Sequence, residues 1–293
     1  MTDRPKLSGA PITWGVSEVP GWGRQLDRER VLSEIAHAGF RATELGPPGF
    51  LPADPAGVRS CLSTHGLELV GGFVSAILHR AELQDAELAA VDTSARTLAG
   101  AGAGVLILAA GAGTEGYESS VRLDDSEWDA LRRGVTRADE IGRARGLVVA
   151  LHPHFGTLIE NEEQIDRIMT TTGVSLCLDT GHLTVAGVDP LLIARAAHGR
   201  VAHVHLKDVD TATAARLRAG EIGYRDAVRA GLYRPLGDGD VDLEPVLLRL
   251  HAAGYSGWYV VEEDAVIDAE HEESMPLDHA MRSLRYLEEV LSR

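Results

Sequence analysis

The chain has 293 residues, 44% of them hydrophobic, and a formal charge of −16 at pH 7. That length supports a large core near the roughly 250 residues of one large α/β domain, and the negative charge excludes nucleic acid and anionic membranes as partners unless basic residues cluster on one face. No run reaches the ~18 uninterrupted apolar residues of a membrane helix, and no continuous apolar stretch follows the polar start through Leu7, so a cytoplasmic location is expected.

In chain order, short apolar runs mark eight strand candidates: Ala10 to Trp14, Ala42 to Leu45, Glu68 to Phe73, Val105 to Ala109, Val148 to His152, Val174 to Asp179, Val201 to Lys207 and Trp258 to Glu262. Amphipathic segments lie between them. Arg28 to Ala38 carries Val31, Leu32 and Ile35 at helical spacing, opened by Asp27 and stopped by Gly39. Ser126 to Arg145 is opened by Asp124 and Asp125 and closed by Gly146, Asn161 to Met169 places Ile165, Ile168 and Met169 on one face, and Leu243 to Ala253 ends at Gly254. Cys61 falls in a helical pattern and Cys177 in a strand, and two cysteines make no disulfide framework.

This alternation is the signature of a parallel sheet with covering helices, α/β in class, and eight repeats point to one (β/α)8 TIM barrel spanning 1–293. A doubly wound sheet would carry a glycine-rich nucleotide loop after its first strand, and Gly15-Val-Ser-Glu-Val-Pro-Gly-Trp-Gly23 lacks that spacing. The pattern weakens in Leu45 to Pro55 and in Asp210 to Asp240. Both follow strands, so both are expected at the C-terminal mouth as substrate-covering segments, with 210–240 a lid or an interface insertion. Homo-oligomerisation stays open.

The informative residues are the polar ones at the ends of the last four strands: His152-Pro-His154, Asp179-Thr-Gly-His182, His203-Val-His205-Leu-Lys207-Asp208 and Glu262-Glu-Asp264. In a barrel these ends converge on one mouth, so residues about 110 positions apart can meet around one ion. Imidazole and carboxylate without thiolate suit a divalent cation. Period-two alternation puts His203, His205 and Lys207 on one face. A single such histidine is more often a hydrogen-bonded structural residue, Glu263 or Asp264 can simply cap the next helix, and Lys207 can be a buried salt-bridge partner. Four successive strands ending this way are hard to explain by packing, because gathered charges cost stability unless an ion or ligand compensates them.

Weaker candidates remain. Glu44 can contact a sugar hydroxyl, hold Lys207 or cap a helix; Trp14 and Trp22 can wall a ring's C–H face or be core. His65, His79, His198, His251 and His271 are expected to be structural or exposed and to lack partners.

These residues resemble the xylose-isomerase-like TIM barrels and, within them, the inosose dehydratases of inositol catabolism. The likeness runs from Ala10-Pro-Ile-Thr-Trp14 to the last strand and is densest in Asp124-Asp-Ser-Glu-Trp128, His152-Pro-His-Phe-Gly-Thr157, Leu178-Asp-Thr-Gly-His182, His203-Val-His-Leu-Lys-Asp208 and Tyr255-Ser-Gly-Trp-Tyr-Val-Val-Glu262. The resemblance implies one divalent metal, manganese or cobalt first and zinc, iron or magnesium after them, held by His152, Asp179, His205 and Glu262. His152 stands where the isomerases and epimerases of that superfamily have a carboxylate, and this departure favours elimination of water over isomerisation. The implied substrate is a small polyol ketone or sugar. His152, His154, His182, Lys207 and Glu262 are the candidate acid, base and enolate-stabilising groups, and Trp14, Glu44 and His203 the candidate substrate contacts.

Other readings of the same site are a sugar or keto-sugar isomerase or epimerase, a lyase on oxidised glycosides, and a non-catalytic carbohydrate-binding barrel. The superfamily's multi-zinc DNA-repair endonucleases need further ligands and a basic surface, which the net charge opposes.

Overall fold

Near-continuous apolar runs bounded by glycine, proline and charge form strands buried on both faces, the condition of a parallel sheet. In the computed structural model, which describes residues 5–114, 121–197 and 199–291, the strands are β1 Lys6–Gly9, β2 Ala42–Thr43, β3 Glu68–Leu69, β4 Gly71–Ala76, β5 Val105–Ala110, β6 Val148–Leu151, β7 Ser175–Asp179, β8 Val201–Leu206, β9 Asp208–Val209, β10 Tyr233–Arg234 and β11 Trp258–Val261. The main sheet is parallel and runs β3-β2-β1-β11-β8-β7-β6-β5-β4. Its two edge strands are consecutive in the chain, separated only by Val70, whose N–H donates to Thr43 while Gly71 accepts from Leu45. The sheet therefore closes on itself as an eight-position ring, a TIM barrel in the α/β class.

The first strand lies earlier than expected. Lys6–Gly9 pairs with both β11 and β2, whereas Pro11–Trp14 forms one 3-10 turn. Pro11 lacks the N–H that a central strand must donate, and Gly15, at φ 72°, closes the turn. The expected third strand is split at Val70.

Eleven α-helices connect the strands among the described residues: α1 Arg28–Ala38, α2 Pro55–Thr64, α3 Gln84–Ala101, α4 Asp125–Ala144, α5 Glu162–Thr171, α6 Thr180–Val185, α7 Pro190–Ala196, α8 Thr211–Arg218, α9 Tyr224–Arg229, α10 Leu243–Ala252 and α11 Met275–Leu291. The start signals at Asp27 and Asp124 act as expected, and Asn161 adds a third. Asp27 accepts from the Glu29 N–H, Asp124 with Glu127 and Asn161 with Gln164 form capping boxes, and Gly39 ends α1 at φ 110°. None of these helices is long and apolar enough to cross a membrane.

The 210–240 segment consists of α8, α9 and β10, and β10 pairs antiparallel with β9 through Tyr233 opposite Val209. Asp208 anchors the return. Its carboxylate accepts N–H bonds from Val209, Gly237, Gly239 and Val241 at 2.9–3.0 Å.

Inside the barrel, period two builds a floor and a layer above it. Ala150, Cys177, His203 and Val260 are fully buried, and two residues further along each strand direction stand His152, Asp179, His205 and Glu262. The register pairs Asp179 directly with His205 and sets His205 opposite Val260, so Glu262 stands two residues further along β11.

Candidate active site

The polar layer converges on Asp179. Its Oδ2 lies 3.2 Å from His152 Nε2 and 3.4 Å from His205 Nδ1, and His205 Nδ1 lies 3.2 Å from Glu262 Oε2. Asp179, His205 and Glu262 form one group with ligand atoms within 4.8 Å of one another, and His152, Asp179 and His182 form a second that shares Asp179. The other oxygen of Asp179 caps α6, accepting the Gly181 and His182 N–H groups at 2.8 Å. One carboxylate thus starts a helix and faces the cluster, which its position at the end of β7 permits.

Glu44, from the end of β2, crosses the barrel and its Oε1 accepts from His203 Nε2 at 2.7 Å and His205 Nε2 at 2.9 Å. A carboxylate behind an imidazole whose other nitrogen faces the centre is the arrangement that orients metal-ligating histidines. His205 Nδ1 is buried and without a hydrogen-bond partner, yet it faces two carboxylate oxygens. Glu44, Asp179, Glu262 and Asp264 are buried together, and Lys207 is the buried ammonium among them. Four carboxylates around one ammonium leave negative charge uncompensated, so donor type, spacing and charge all fit a divalent cation.

Lys207 closes the other side. Its Nζ lies 2.6 Å from Asp264 Oδ1, 3.1 Å from Glu262 Oε2 and 3.0 Å from His182 Nε2. The His154 and His182 rings lie against each other, tilted by 33°, with centroids 3.6 Å apart. Tyr224, from the start of α9, donates to Asp264 Oδ2 at 2.9 Å and lies 3.0 Å from the Tyr233 hydroxyl, which is 3.3 Å from His182 Nδ1. Except for Tyr233, these groups face a cavity of about 410 Å³ lined by Glu44, His152, His154, Lys207, Tyr224 and Glu262, among others. Such a volume suits a small molecule.

Burial divides the titrating groups. It pushes His152 down to about 4 and drives His154 and His182 well below the usual histidine value, so these imidazoles are neutral. Burial also pushes Glu262 up to about 7, with His205 and Lys207 pulling the other way. For Asp179, burial is outweighed by Lys207 and by the hydrogen bond from His152, which hold it well below the carboxylate range. Lys207 is likewise raised despite burial, by Asp264, Glu262 and Asp179. Against its burial, His205 is held well above its ordinary value by surrounding negative groups that include Glu262 and Glu44, so a proton on it offsets part of the carboxylate charge.

The structure brings His152, His154, Asp179, His182, His205, Lys207, Glu262 and Glu44 to this one place. Several expectations need correction. Trp14 is in the core and its indole N–H donates to Glu34 of α1, so it does not wall the cavity; Trp22 does, with its own N–H on the Ala265 carbonyl. His203 is fully buried beneath Glu44 and is no substrate contact, because its strand position is one step below the polar layer. Glu44 holds the two histidines, neither Lys207 nor a helix end. Asp264 binds Lys207 and Glu263 pairs with His279, so neither caps a helix. His65 has partners, Ser33 and Glu29, and His198 lies outside the described residues. Tyr224, Tyr233 and the role of Asp264 escape a sequence reading, since the segment carrying the tyrosines has no strand-end pattern. The run Glu262-Glu-Asp264 after the last strand is the one signal that points toward Asp264.

Residues 32–289 match the family model of the xylose isomerase-like TIM barrel. An inosose dehydratase from Geobacillus thermodenitrificans (strain NG80-2) is 33% identical over 300 residues, 98% of each chain. The rhizopine catabolism protein MocC of Rhizobium meliloti is 35% identical over 267 residues, 88% of this chain and 81% of its own. Among solved structures, an L-ribulose 3-epimerase superposes with TM-score 0.71 at 16% identity over 98% of this chain and 95% of its own, and the IOLI protein with a bound zinc atom with TM-score 0.71 at 17% identity over 98% of each. At those identities the solved structures share the fold. With its barrel closed and its family model matched from α1 to α11, the chain belongs to the xylose isomerase-like TIM barrel family, with inosose dehydratases among its relatives.

Proposed function

We propose that this chain is a metal-dependent lyase that removes water from 2-keto-myo-inositol to give a cyclic diketone. The observation that carries the reading is the close cluster of His152, Asp179, His205 and Glu262 beside neutral His154 and charged Lys207, in a chain whose full-length relatives are inosose dehydratases. His152, Asp179, His205 and Glu262 would hold the cation, manganese or cobalt first. Bound there, it supplies Lewis acidity toward a carbonyl and a neighbouring hydroxyl.

The remaining work falls to the chain's own groups. The Nδ1 of His154 lies 2.7 Å from the Phe155 carbonyl, which can only accept, so its ring proton sits on Nδ1 and its lone pair on Nε2. That nitrogen takes the proton next to the ketone, and the resulting imidazolium returns it to the departing β-hydroxyl, which leaves as water. Lys207 stabilises the developing enolate through its fixed positive charge. Buried histidines make neutral bases, and a base with its pKa below the working pH is already deprotonated. The missing carboxylate at position 152 removes one of the two opposed bases that a proton-shuffling epimerase would use.

The test is incubation of metal-reconstituted protein with 2-keto-myo-inositol, followed in the ultraviolet and by mass. An enolised diketone with loss of one water supports the reading. Solvent deuterium entering an unchanged or epimerised substrate, without dehydration, overturns it in favour of an epimerase.

A further inference from the structure

The hydrogen bonds around Lys207 run in a closed ring, and their direction is fixed by donor chemistry alone. An ammonium can only donate, so His182 Nε2, 3.0 Å from Lys207 Nζ, must accept, and its ring proton sits on Nδ1. That Nδ1–H has the Tyr233 oxygen at 3.3 Å. Tyr233 then spends its single proton on the Tyr224 oxygen at 3.0 Å, and Tyr224 spends its own on Asp264 Oδ2 at 2.9 Å. Asp264 Oδ1 accepts from Lys207 at 2.6 Å and closes the ring. Burial keeps both tyrosines as neutral phenols, so each has one proton to give.

We propose that Tyr224 and Tyr233, both carried by the 210–240 segment, are positioning residues whose hydroxyls lock His182 as its Nδ1–H tautomer and hold Lys207 as an ammonium bonded to Asp264 and His182. Two Lys207 protons are then committed to Asp264 and His182, with Glu262 Oε2 as an ion-pair partner at 3.1 Å, which disfavours a nucleophilic amine. The His182 lone pair is committed as well, so proton transfer falls to His154. The segment that covers the mouth is thereby part of the site. Phenylalanine at either position would open the ring, and a partly satisfied buried network loses more than one bond's share.

Nitrogen-15 histidine spectra of the full-length chain, with His182 assigned by the loss of its signals in His182→Gln, test the tautomer directly. Protonated Nδ1 with unprotonated Nε2 is expected, and the reverse pattern overturns the proposal whatever the variants do. Tyr233→Phe and Tyr224→Phe are each expected to lower kcat about tenfold with KM within about twofold, and the double variant to be scarcely worse than either single one, as one ring opened twice requires. Additive losses carried by KM and melting temperature would instead mark the tyrosines as packing residues and overturn the positioning role. The kinetic arm rests on the dehydratase reading; the spectra do not. The expected tautomer in a chain that leaves keto-inositol untouched would sink that reading and leave the ring standing.

Discussion

The two sides of the cavity are built differently. His152, Asp179, His205 and Glu262 stand at the ends of four neighbouring strands, each two residues beyond a buried floor residue, and the parallel strands carry all four to one mouth. The Lys207 side takes one residue from just past β8 and one from just past β11, but is completed by Tyr224 at the start of α9 and Tyr233 on β10. The first side is positioned by backbone hydrogen bonds that span the barrel; the second depends on the 210–240 segment, held through β10 on β9. Breaking one without the other separates cation binding from substrate chemistry.

The largest effect is expected at Asp179. Asn keeps an oxygen for the Gly181 and His182 N–H groups, so α6 stays capped, but it removes the negative charge from the cluster. Asp179→Asn is therefore expected to fold, to lose bound metal, and to lose at least about 10²-fold in turnover, measured by elemental analysis and initial rates. Retention of metal and rate together would remove Asp179 from the ligand set.

The opposite side is broken from Gly181. A Cβ there would collide with Lys207 Cβ and meet Tyr233 Cε1 at 3.0 Å, so Gly181→Ala displaces the ammonium while leaving Asp179 in place. Overpacking of this kind costs about 1–3 kcal/mol. The expected outcome is a lower unfolding midpoint in denaturant and a large loss of kcat, with metal content preserved. Loss of metal instead would show that the two sides are not separable.

Much of the first side was legible in the sequence, and the reason is geometric. Residues at strand ends inherit their position from a periodicity of two, so the polar ends of the last four strands point to one mouth, and the family resemblance singles out His152, Asp179, His205 and Glu262 among them. The fold was legible for the same reason, through eight apolar runs and capped helices. Where the reading slipped, local chemistry overrode pattern: Pro11 turned an apolar run into a 3-10 turn and sent Trp14 into the core. His203 shares a face with His205, but periodicity does not say how deep in the barrel a residue sits. Tyr224 and Tyr233 have no periodic signature because their positions come from the tertiary path of 210–240, and that path is fixed by Asp208 gathering the distant N–H groups of Gly237, Gly239 and Val241.

Asp208 therefore sharpens the comparison at smaller amplitude. Asp208→Ala strands those N–H groups and is expected to cost about 2–3 kcal/mol, since hydrogen bonds to a charged acceptor carry more than neutral ones. Hydrogen exchange should rise at 233–241 while protection in β6, β7 and β8 is unchanged. Uniform loss of protection would mean that the segment and the barrel unfold as one unit.

The smallest effect lies outside both sides. His279 of α11 is 2.9 Å from Glu263 Oε1, and that hydrogen bond raises its pKa above the usual histidine value although burial opposes the shift. A raised pKa means the folded state binds the proton more tightly than the unfolded chain does. The pair's contribution is therefore complete below the unfolded value of about 6.5 and fades as pH climbs through the folded one. Because the pair is partly open to solvent, its worth is under about 1 kcal/mol. Denaturant midpoints of the native chain and His279→Gln should differ at pH 5.5 and converge at pH 9, while turnover of the two is equal at each pH. A gap that widens with rising pH would reverse the sign and place the proton on the unfolded side of the linkage.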